Sequence, residues 1–269
     1  MVMEEEKIVG INTRFLSRVK FENEVYSVNA EGMHYRELNQ LLRTLDKDGA
    51  ERIEIQNVYG QRYIGTDLEK NIYIDIYGTP GNDLSAFMNG QRIVVHGNAQ
   101  DCSGNTMNDG RIVIHGHAGD ITGYGMRGGK IFIRDDVGYR TGIHMKEFMS
   151  KKPYVVIGGT GQDFLGEYMA GGVLVVLGLT LSNGERHHAR FVGTGMHGGV
   201  IYVRGEMPEN QLGKEVKIMD INKRDFRLIK SLVREFCDCF NMDCDEIMGG
   251  KFSKIVPFSH RPYGSVYAY

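Results

Sequence analysis

The sequence is poor in the features that mark several protein classes. Its 269 residues include no tryptophan, five prolines and four cysteines, and the net charge is −2. That balance excludes a nucleic acid or membrane-surface partner held by bulk electrostatics. No apolar run approaches the roughly 20 residues of a transmembrane helix. Residues 1–10 carry three consecutive glutamates and no apolar signal segment, so we expect a cytoplasmic protein.

Cysteine is too scarce to build a disulfide framework in a chain of this kind. Cys237, Cys239 and Cys244 form a Cys-x-Cys-x4-Cys cluster that could bind a metal, while Cys102 stands apart. The cluster spacing matches no standard zinc pattern, and the segment is predicted to be helical. We therefore expect ordinary thiols. Nucleophile motifs and paired carboxylates are also missing, so the sequence predicts no catalytic, cofactor-binding or metal-binding residue.

What the sequence has in abundance is glycine, 36 residues, arranged in a repeated phrase. Each copy begins with a methionine, continues with one or two glycines and ends in a short aliphatic run. The methionines are Met88, Met107, Met126, Met169 and Met196. The glycines of the repeat are Gly90, Gly110, Gly123, Gly125, Gly128, Gly129, Gly171, Gly172, Gly193, Gly195, Gly198 and Gly199. A degenerate copy from Met149 to Ile157, with Pro153 in the place of a glycine, falls inside the longest interval.

A period near 20 residues with one strand per repeat predicts an all-β solenoid. Two helices do not fit in that length, and the leucine-rich repeat pattern is missing. The runs Ile93–Val95, Ile112–Ile114 and Ile131–Ile133 are apolar on both faces, as in covered parallel strands. We therefore predict a single parallel β-helix of about six to seven coils, with equivalent residues stacked in ladders. An antiparallel sandwich with glycine turns is the alternative.

The pattern divides the chain into three parts. Residues 1–50 form a lead-in with a strand and a helix over His34–Asp46, which we expect to cap the first coil. Residues 51–206 form the β-helix. Residues 207–269 carry a helix over Lys223–Phe240 and a tail, including Tyr263, Tyr267 and Tyr269, packed on the solenoid. The apolar stripe of that second helix is predicted to be Phe226, Ile229, Val233, Phe236 and Phe240.

Two departures from the period, residues 138–153 and 179–190, are expected to be outer loops that contact partners or hold a ligand. His187 and His188 lie in the second loop and are expected to be solvated. His96 and His115 are at equivalent repeat positions, so they should stack about 5 Å apart. The next equivalent residue is Arg134, whose positive charge would repel a metal cation. We therefore favour a surface ladder of side chains over a metal site.

Other recurring polar residues favour structural roles. Asp83, Asp101, Asp120 and Asp163 precede successive coils, and each is expected to bind backbone N–H groups at a corner. Gly123–Gly128 and Gly193–Gly198 match the dinucleotide-binding fingerprint, but each runs into a strand and not into the helix that a phosphate loop requires.

Several phrases together resemble a known family. Gly119–Gly129, Gly161–Gly172 and Phe191–Gly199, with the ending Lys251–Pro257, resemble the GXGXG domain. This is the C-terminal right-handed β-helix of the glutamate synthase large (alpha) subunit, and the resemblance covers about residues 50–257. The β-helix subunit of formylmethanofuran dehydrogenase is similar. The insertion Gly142–Pro153 and the Lys-Phe-Ser-Lys-Ile-Val-Pro ending favour glutamate synthase.

The resemblance implies a non-catalytic scaffold subunit. In glutamate synthase an amidotransferase part releases ammonia from glutamine, and an FMN and iron–sulfur part uses it to convert 2-oxoglutarate to glutamate. This chain would bind those catalytic subunits and hold no cofactor itself; self-association is left open. Two alternatives remain: the β-helix subunit of a formylmethanofuran dehydrogenase, and a stand-alone β-helix enzyme acting on a polysaccharide.

Overall fold

The computed structural model describes residues 17–258, and its elements follow a simple order. The strands up to the middle of the chain are β1 (Val19–Glu22), β2 (Val25–Asn29), β3 (Arg52–Tyr59), β4 (Tyr73–Thr79), β5 (Asn89–Val95) and β6 (Asp109–Ile114). They continue with β7 (Lys130–Ile133), β8 (Tyr154–Ile157), β9 (Ala170–Val176), β10 (Gly198–Arg204), β11 (Val216–Met219) and β12 (Phe252–Pro257). The helices are α1 (Tyr35–Lys47), α2 (Lys223–Phe240) and α3 (Cys244–Met248).

One twelve-stranded sheet contains all of these strands in the order β1 to β10, then β12 and β11. Every neighbouring pair from β2 to β10 is parallel, and Ile93 pairs with Ile112, which is in line with Ile131. The fold is a parallel β-solenoid of about six turns. The predicted solenoid is confirmed and the antiparallel sandwich is wrong. Among the strands of residues 17–258, antiparallel pairs lie at the two ends of the sheet, where β1 joins β2 and β12 joins β10 and β11.

The turn that precedes each methionine has an unusual backbone. In Ile121–Gly125 the alternate residues Ile121, Gly123 and Gly125 have φ of 60°, 73° and 57°, in the left-handed region. The same three positions recur at 63/65/67, 83/85/87, 102/104/106, 140/142/144, 164/166/168 and 191/193/195. Only the middle position is mostly glycine. We call this five-residue turn the left-handed corner.

Methionines fill the interior beside each corner. The amide of each donates to the carbonyl of the middle corner residue; Met126 N, for example, bonds Gly123 O at 3.2 Å. Met145, fully buried, makes the same bond to Gly142 O at 3.2 Å and so belongs to the ladder. The degenerate repeat therefore starts at Met145. Its predicted start at Met149 is wrong, because that side chain is 90% exposed on an insertion. Pro153 does occupy the glycine position, one residue before β8.

Helix α1 lies at the N-terminal end of the solenoid. Its apolar stripe, Leu38, Leu41, Leu42 and Leu45, is buried in the same core as the strand interior. Polar side chains on the buried face bond the first coil: Asn39 Nδ2 donates to Arg62 O at 2.8 Å, and Asp46 accepts from Glu69 N at 2.7 Å. The helix predicted over His34–Asp46 is thus present, and it covers the interior of the first coil.

Helix α2 packs on the outer face of the sheet and begins where predicted. Asn222 and Asp225 form a reciprocal capping box at its N-terminus. Its buried residues join a second apolar core with the outer faces of β6 to β10. Phe226, predicted in the apolar stripe, is 46% exposed, and Leu232 is buried in the stripe instead.

The described chain holds no helix long and apolar enough to cross a membrane. The sheet runs without interruption across residues 50 and 206, so the three-part division stays a prediction. The tail residues Tyr263, Tyr267 and Tyr269 lie outside the described residues.

Candidate functional site

The repeat glycines lie where neighbouring coils touch. Four of them have positive φ and directly precede the part of a strand that pairs in the sheet: Gly110, Gly129, Gly172 and Gly199. A Cβ at any of these positions would collide with the preceding coil and approach the methionine of that coil. Gly90 has positive φ in the same bend of β5. A Cβ would strike the neighbouring coil at the remaining junction glycines, Gly128, Gly171 and Gly198. The corner positions are held by Gly123, Gly125, Gly193 and Gly195.

The two dinucleotide-like segments sit at this corner and the junction after it. Gly123–Gly128 leads into β7 and Gly193–Gly198 leads into β10, so a strand follows each one. A phosphate loop needs a helix N-terminus at that point. The geometry therefore supplies no dinucleotide-binding site at either segment.

Three of the four recurring aspartates accept from backbone N–H groups as predicted, and in each case the donor lies on the next coil. Asp101 Oδ1 accepts from Asp120 N at 2.9 Å, and Asp120 Oδ1 accepts from Tyr139 N at 2.8 Å. Asp163 Oδ1 accepts from Arg190 N at 2.9 Å. Asp83 lies one position further along its coil and accepts from the Asn105 side chain at 2.9 Å instead. The shared role predicted for all four is wrong for Asp83.

The predicted histidine ladder is present on the outer sheet face. The rings of His96 and His115 stack with centroids 5.4 Å apart, and Tyr77 stacks on His96 at 4.4 Å. His96 Nε2 lies 2.8 Å from Asp75 Oδ1. Burial, then the neighbouring His96 and Arg134, lowers the pKa of His115 below its usual 6.5. Within residues 17–258 no group of three or more His, Cys, Asp or Glu side chains could hold a metal ion.

The insertions differ from what we predicted. Residues 138–145 form an ordinary coil segment, and only residues 146–152 extend outward, with an antiparallel bridge between Phe148 and Lys151. In the second insertion His188 is exposed and pairs with Glu185, but His187 is buried. Its Nδ1 lies 3.2 Å from Thr160 Oγ1 and its Nε2 lies 2.9 Å from Arg204 O. The prediction that His187 is solvated is wrong.

The four cysteines are free thiols. Cys237 on α2 is buried against Cys244 at the start of α3, and burial followed by the Cys244 neighbour raises the pKa of the Cys237 thiol. Burial also raises the pKa of Cys239. Such thiols are protonated and weakly nucleophilic at neutral pH.

Part of the outer face is left open beside α2. Arg92, Arg111 and Lys130 are in register on β5, β6 and β7, so their side chains project from one row. They border a cavity of about 700 Å³ whose other side is the 146–152 insertion. The lining residues are Asn71, Asn89, Gly90, Arg92, Asp109, Gly110, Arg111, Gly129, Lys130, Lys151, Lys152 and Tyr154. We call it the basic cavity.

A second surface follows the left-handed corners. Five exposed aromatic side chains lie within the corner segments and a sixth, Tyr139, directly precedes one; we call them the corner aromatics: Tyr63, Phe87, Tyr124, Tyr139, Tyr168 and Phe191. His144 links two of them, since its ring lies 5.9 Å from Tyr124 and 5.3 Å from Tyr168. Phe191 stacks on Phe164 at 5.1 Å. Sequence reasoning missed this surface, although the aromatic residues recur before the methionines.

Comparison with known proteins places the chain. The model of the GXGXG motif family matches residues 45–258. An uncharacterized protein of Methanocaldococcus jannaschii is 48% identical over 248 residues, which cover 89% of this chain and 95% of the relative. The chain belongs to the GXGXG motif family, the family of the C-terminal domain of the glutamate synthase alpha subunit.

Proposed function

We propose that the chain is a structural subunit of a glutamate-synthase-type complex and performs no chemistry alone. Family membership supports a glutamate-synthase-related role. The observation that carries the assembly role is the set of exposed corner aromatics on successive coils. Aromatic residues are enriched in protein interfaces, and large exposed apolar patches mark interaction sites.

The backbone conformation of the left-handed corners supports a role in partner binding. Phe87 and Phe191 are 62% and 49% exposed although each occupies a left-handed position, where a bulky residue is strained. The stacked coils fix these positions through intercoil hydrogen bonds, such as Phe87 N to Asn105 O at 2.8 Å. The aromatic rings are therefore held outward on a rigid support, which lowers the entropy lost on binding.

The proposed partners are the catalytic subunits, an amidotransferase subunit and a synthase subunit. FMN and iron–sulfur clusters would reside in the synthase subunit, and this chain would fix the position of the two parts. The corner aromatics would contact one of these subunits directly.

The test is reconstitution from separately purified subunits. The wild-type chain should co-elute with both catalytic subunits in gel filtration and raise glutamine-dependent glutamate formation. Phe87→Ser with Phe191→Ser should weaken association about tenfold or more, since interface aromatics commonly contribute over 1 kcal/mol each. Tyr59→Ser removes an aromatic side chain that is 92% exposed outside the corner, and it should leave association unchanged.

Three outcomes would contradict the proposal. A chain that never associates with either catalytic subunit removes the scaffold role. Co-purification with a molybdenum or tungsten subunit indicates a formylmethanofuran dehydrogenase instead. Turnover of a polysaccharide by the isolated chain identifies a stand-alone enzyme.

A further inference from the structure

The basic cavity has a local excess of positive charge on a chain whose net charge is −2. Five cationic side chains line it, and Asp109 is its lining carboxylate. Three cations come from adjacent coils of the sheet and two, Lys151 and Lys152, come from the insertion. Residues more than 50 positions apart thus converge on one concavity, which distinguishes it from an ordinary solvated face.

Several of these cations are already held in place by carboxylates. Glu235 of α2 accepts from Arg111 Nη2 at 2.5 Å and from Lys130 Nζ at 2.6 Å, so one carboxylate serves two cations. Lys151 Nζ lies 3.1 Å from Asp109, and Lys152 Nζ lies 2.8 Å from Glu147. These contacts fix the side-chain positions but leave the cluster positive.

Arg92 has no ion pair with any residue between 17 and 258, and its side chain is exposed at the cavity. A guanidinium presents donors in a planar fork that matches a carboxylate or phosphate. Its neighbours in the row follow at the coil spacing of about 4.8 Å, so successive anionic groups of one ligand can meet successive cations.

Glycines form the floor of the cavity between the cationic side chains. Gly90, Gly110 and Gly129 line the cavity and expose backbone where a side chain would otherwise project. A Cβ at Gly90 would collide with Asn71 Oδ1, and one at Gly129 would lie 2.8 Å from Gly110 O. The coil contacts that require glycine therefore also keep the floor of the cavity bare.

We propose that the basic cavity binds a small multivalent anion carrying two or more phosphate or carboxylate groups. The in-register row Arg92, Arg111 and Lys130 contacts the anionic groups, and Lys151 closes the site from the insertion. A concave site of about 700 Å³ suits a small molecule. This goes beyond the proposed assembly role and does not depend on it.

The experiment is calorimetric titration of the full chain with pyrophosphate and with citrate, at constant ionic strength near pH 7. Saturable binding of either anion supports the site, and the better ligand identifies phosphate or carboxylate as the preferred group. Arg92→Gln and Lys151→Gln should each weaken binding about tenfold or more, because each removes a charged hydrogen-bond donor to the anion. Lys217→Gln, on the exposed side of β11, should not.

The proposal is overturned if neither anion binds saturably up to about 10 mM, or if Lys217→Gln weakens binding as much as Arg92→Gln. It is also overturned if a poly-glutamate peptide binds while both small anions do not, since the cations would then serve an acidic protein segment. Circular dichroism and thermal unfolding of each variant establish that the fold is retained. Failure here leaves the reconstitution result untouched, because the corner aromatics lie on a different segment of the coil.

Discussion

Gly199 and Gly184 have the same backbone angle, φ of +81°, but different surroundings. A Cβ at Gly199 would lie 2.8 Å from backbone atoms of Gly171 and Gly172, whereas a Cβ at Gly184 meets nothing within 4 Å. Gly184→Ala should therefore lower the free energy of unfolding by about 1 kcal/mol, the cost of a left-handed non-glycine residue. Gly199→Ala adds a collision with the coil below and should lower it by about 3 kcal/mol. Urea unfolding measures both, and equal losses would contradict the close-contact role of the junction glycine.

His187 makes the stability of the protein depend on pH. Its Nε2 faces a carbonyl and so donates to Arg204 O, which leaves Nδ1 to accept from Thr160. Burial lowers the pKa of His187 below 6.5. Below pH 6.5 the His187 ring binds a proton in the unfolded chain but stays neutral in the native chain. The free energy of unfolding therefore falls as the pH falls toward the native pKa.

We expect this contribution to be removed by His187→Gln. Between about pH 7.5 and 5 the free energy of unfolding of the variant should fall less steeply than that of the wild-type protein. His188→Gln, which changes the exposed neighbour, should retain the wild-type slope. Denaturant unfolding at a series of pH values compares the three, and a parallel slope for His187→Gln would show that this ring does not carry the effect.

At the scale of the element, Met145 and Met149 both fit the sequence repeat, but only Met145 belongs to the methionine ladder. Met145 is fully buried between Met126 and Met169, and Met149 is 90% exposed. Met145→Ala should lower the free energy of unfolding by about 2–5 kcal/mol, because it leaves a cavity in the interior. Met149→Ala should change it by less than about 0.5 kcal/mol. Similar effects of the two changes, measured by denaturant unfolding, would contradict the register assigned to this coil.

The strands and both long helices could be predicted because each is set by a local pattern. The stripe of α1 and the capping residue Asn222 need only short-range information. The start of the degenerate repeat could not be placed, since two methionines four residues apart fit the period and only burial distinguishes them. The left-handed corner could not be predicted, because Ile121 and Phe164 adopt positive φ while their backbone amides donate to carbonyls of the next coil.

The candidate sites were predictable to different degrees. The histidine stack followed from the period alone. The same period places Arg92, Arg111 and Lys130 in one row, so the signal for the basic cavity was present at spacings of 19 residues. The period could not give the position of Lys151 and Lys152, because that position depends on how the 146–152 insertion folds back.

For the whole molecule, the two ends of the solenoid are the places where its interior and strand edges need a cover. A stack of coils exposes its interior and its edge strands at each end. Here α1 covers the interior of the first coil, and antiparallel strands β1 and β11 form the edges of the sheet. At the other end β12 pairs with β10, so the last coil is covered by the chain itself.

Weaker packing of α1 should therefore destabilise the N-terminal coils first. Leu41 is 1% exposed in the shared core, and Gln40 is exposed on the same helix. Leu41→Ala should cost about 2–5 kcal/mol, and because each coil contacts only its neighbours, the loss should open the N-terminal coils before the others. Hydrogen exchange followed by mass spectrometry should show faster exchange in β3 and β4 and near-unchanged protection in β9 and β10. Gln40→Ala is the matched control and should leave all four strands protected. Uniform acceleration along the sheet in Leu41→Ala would instead mean that the solenoid opens as one cooperative unit, so that α1 stabilises the whole molecule and not its first coils.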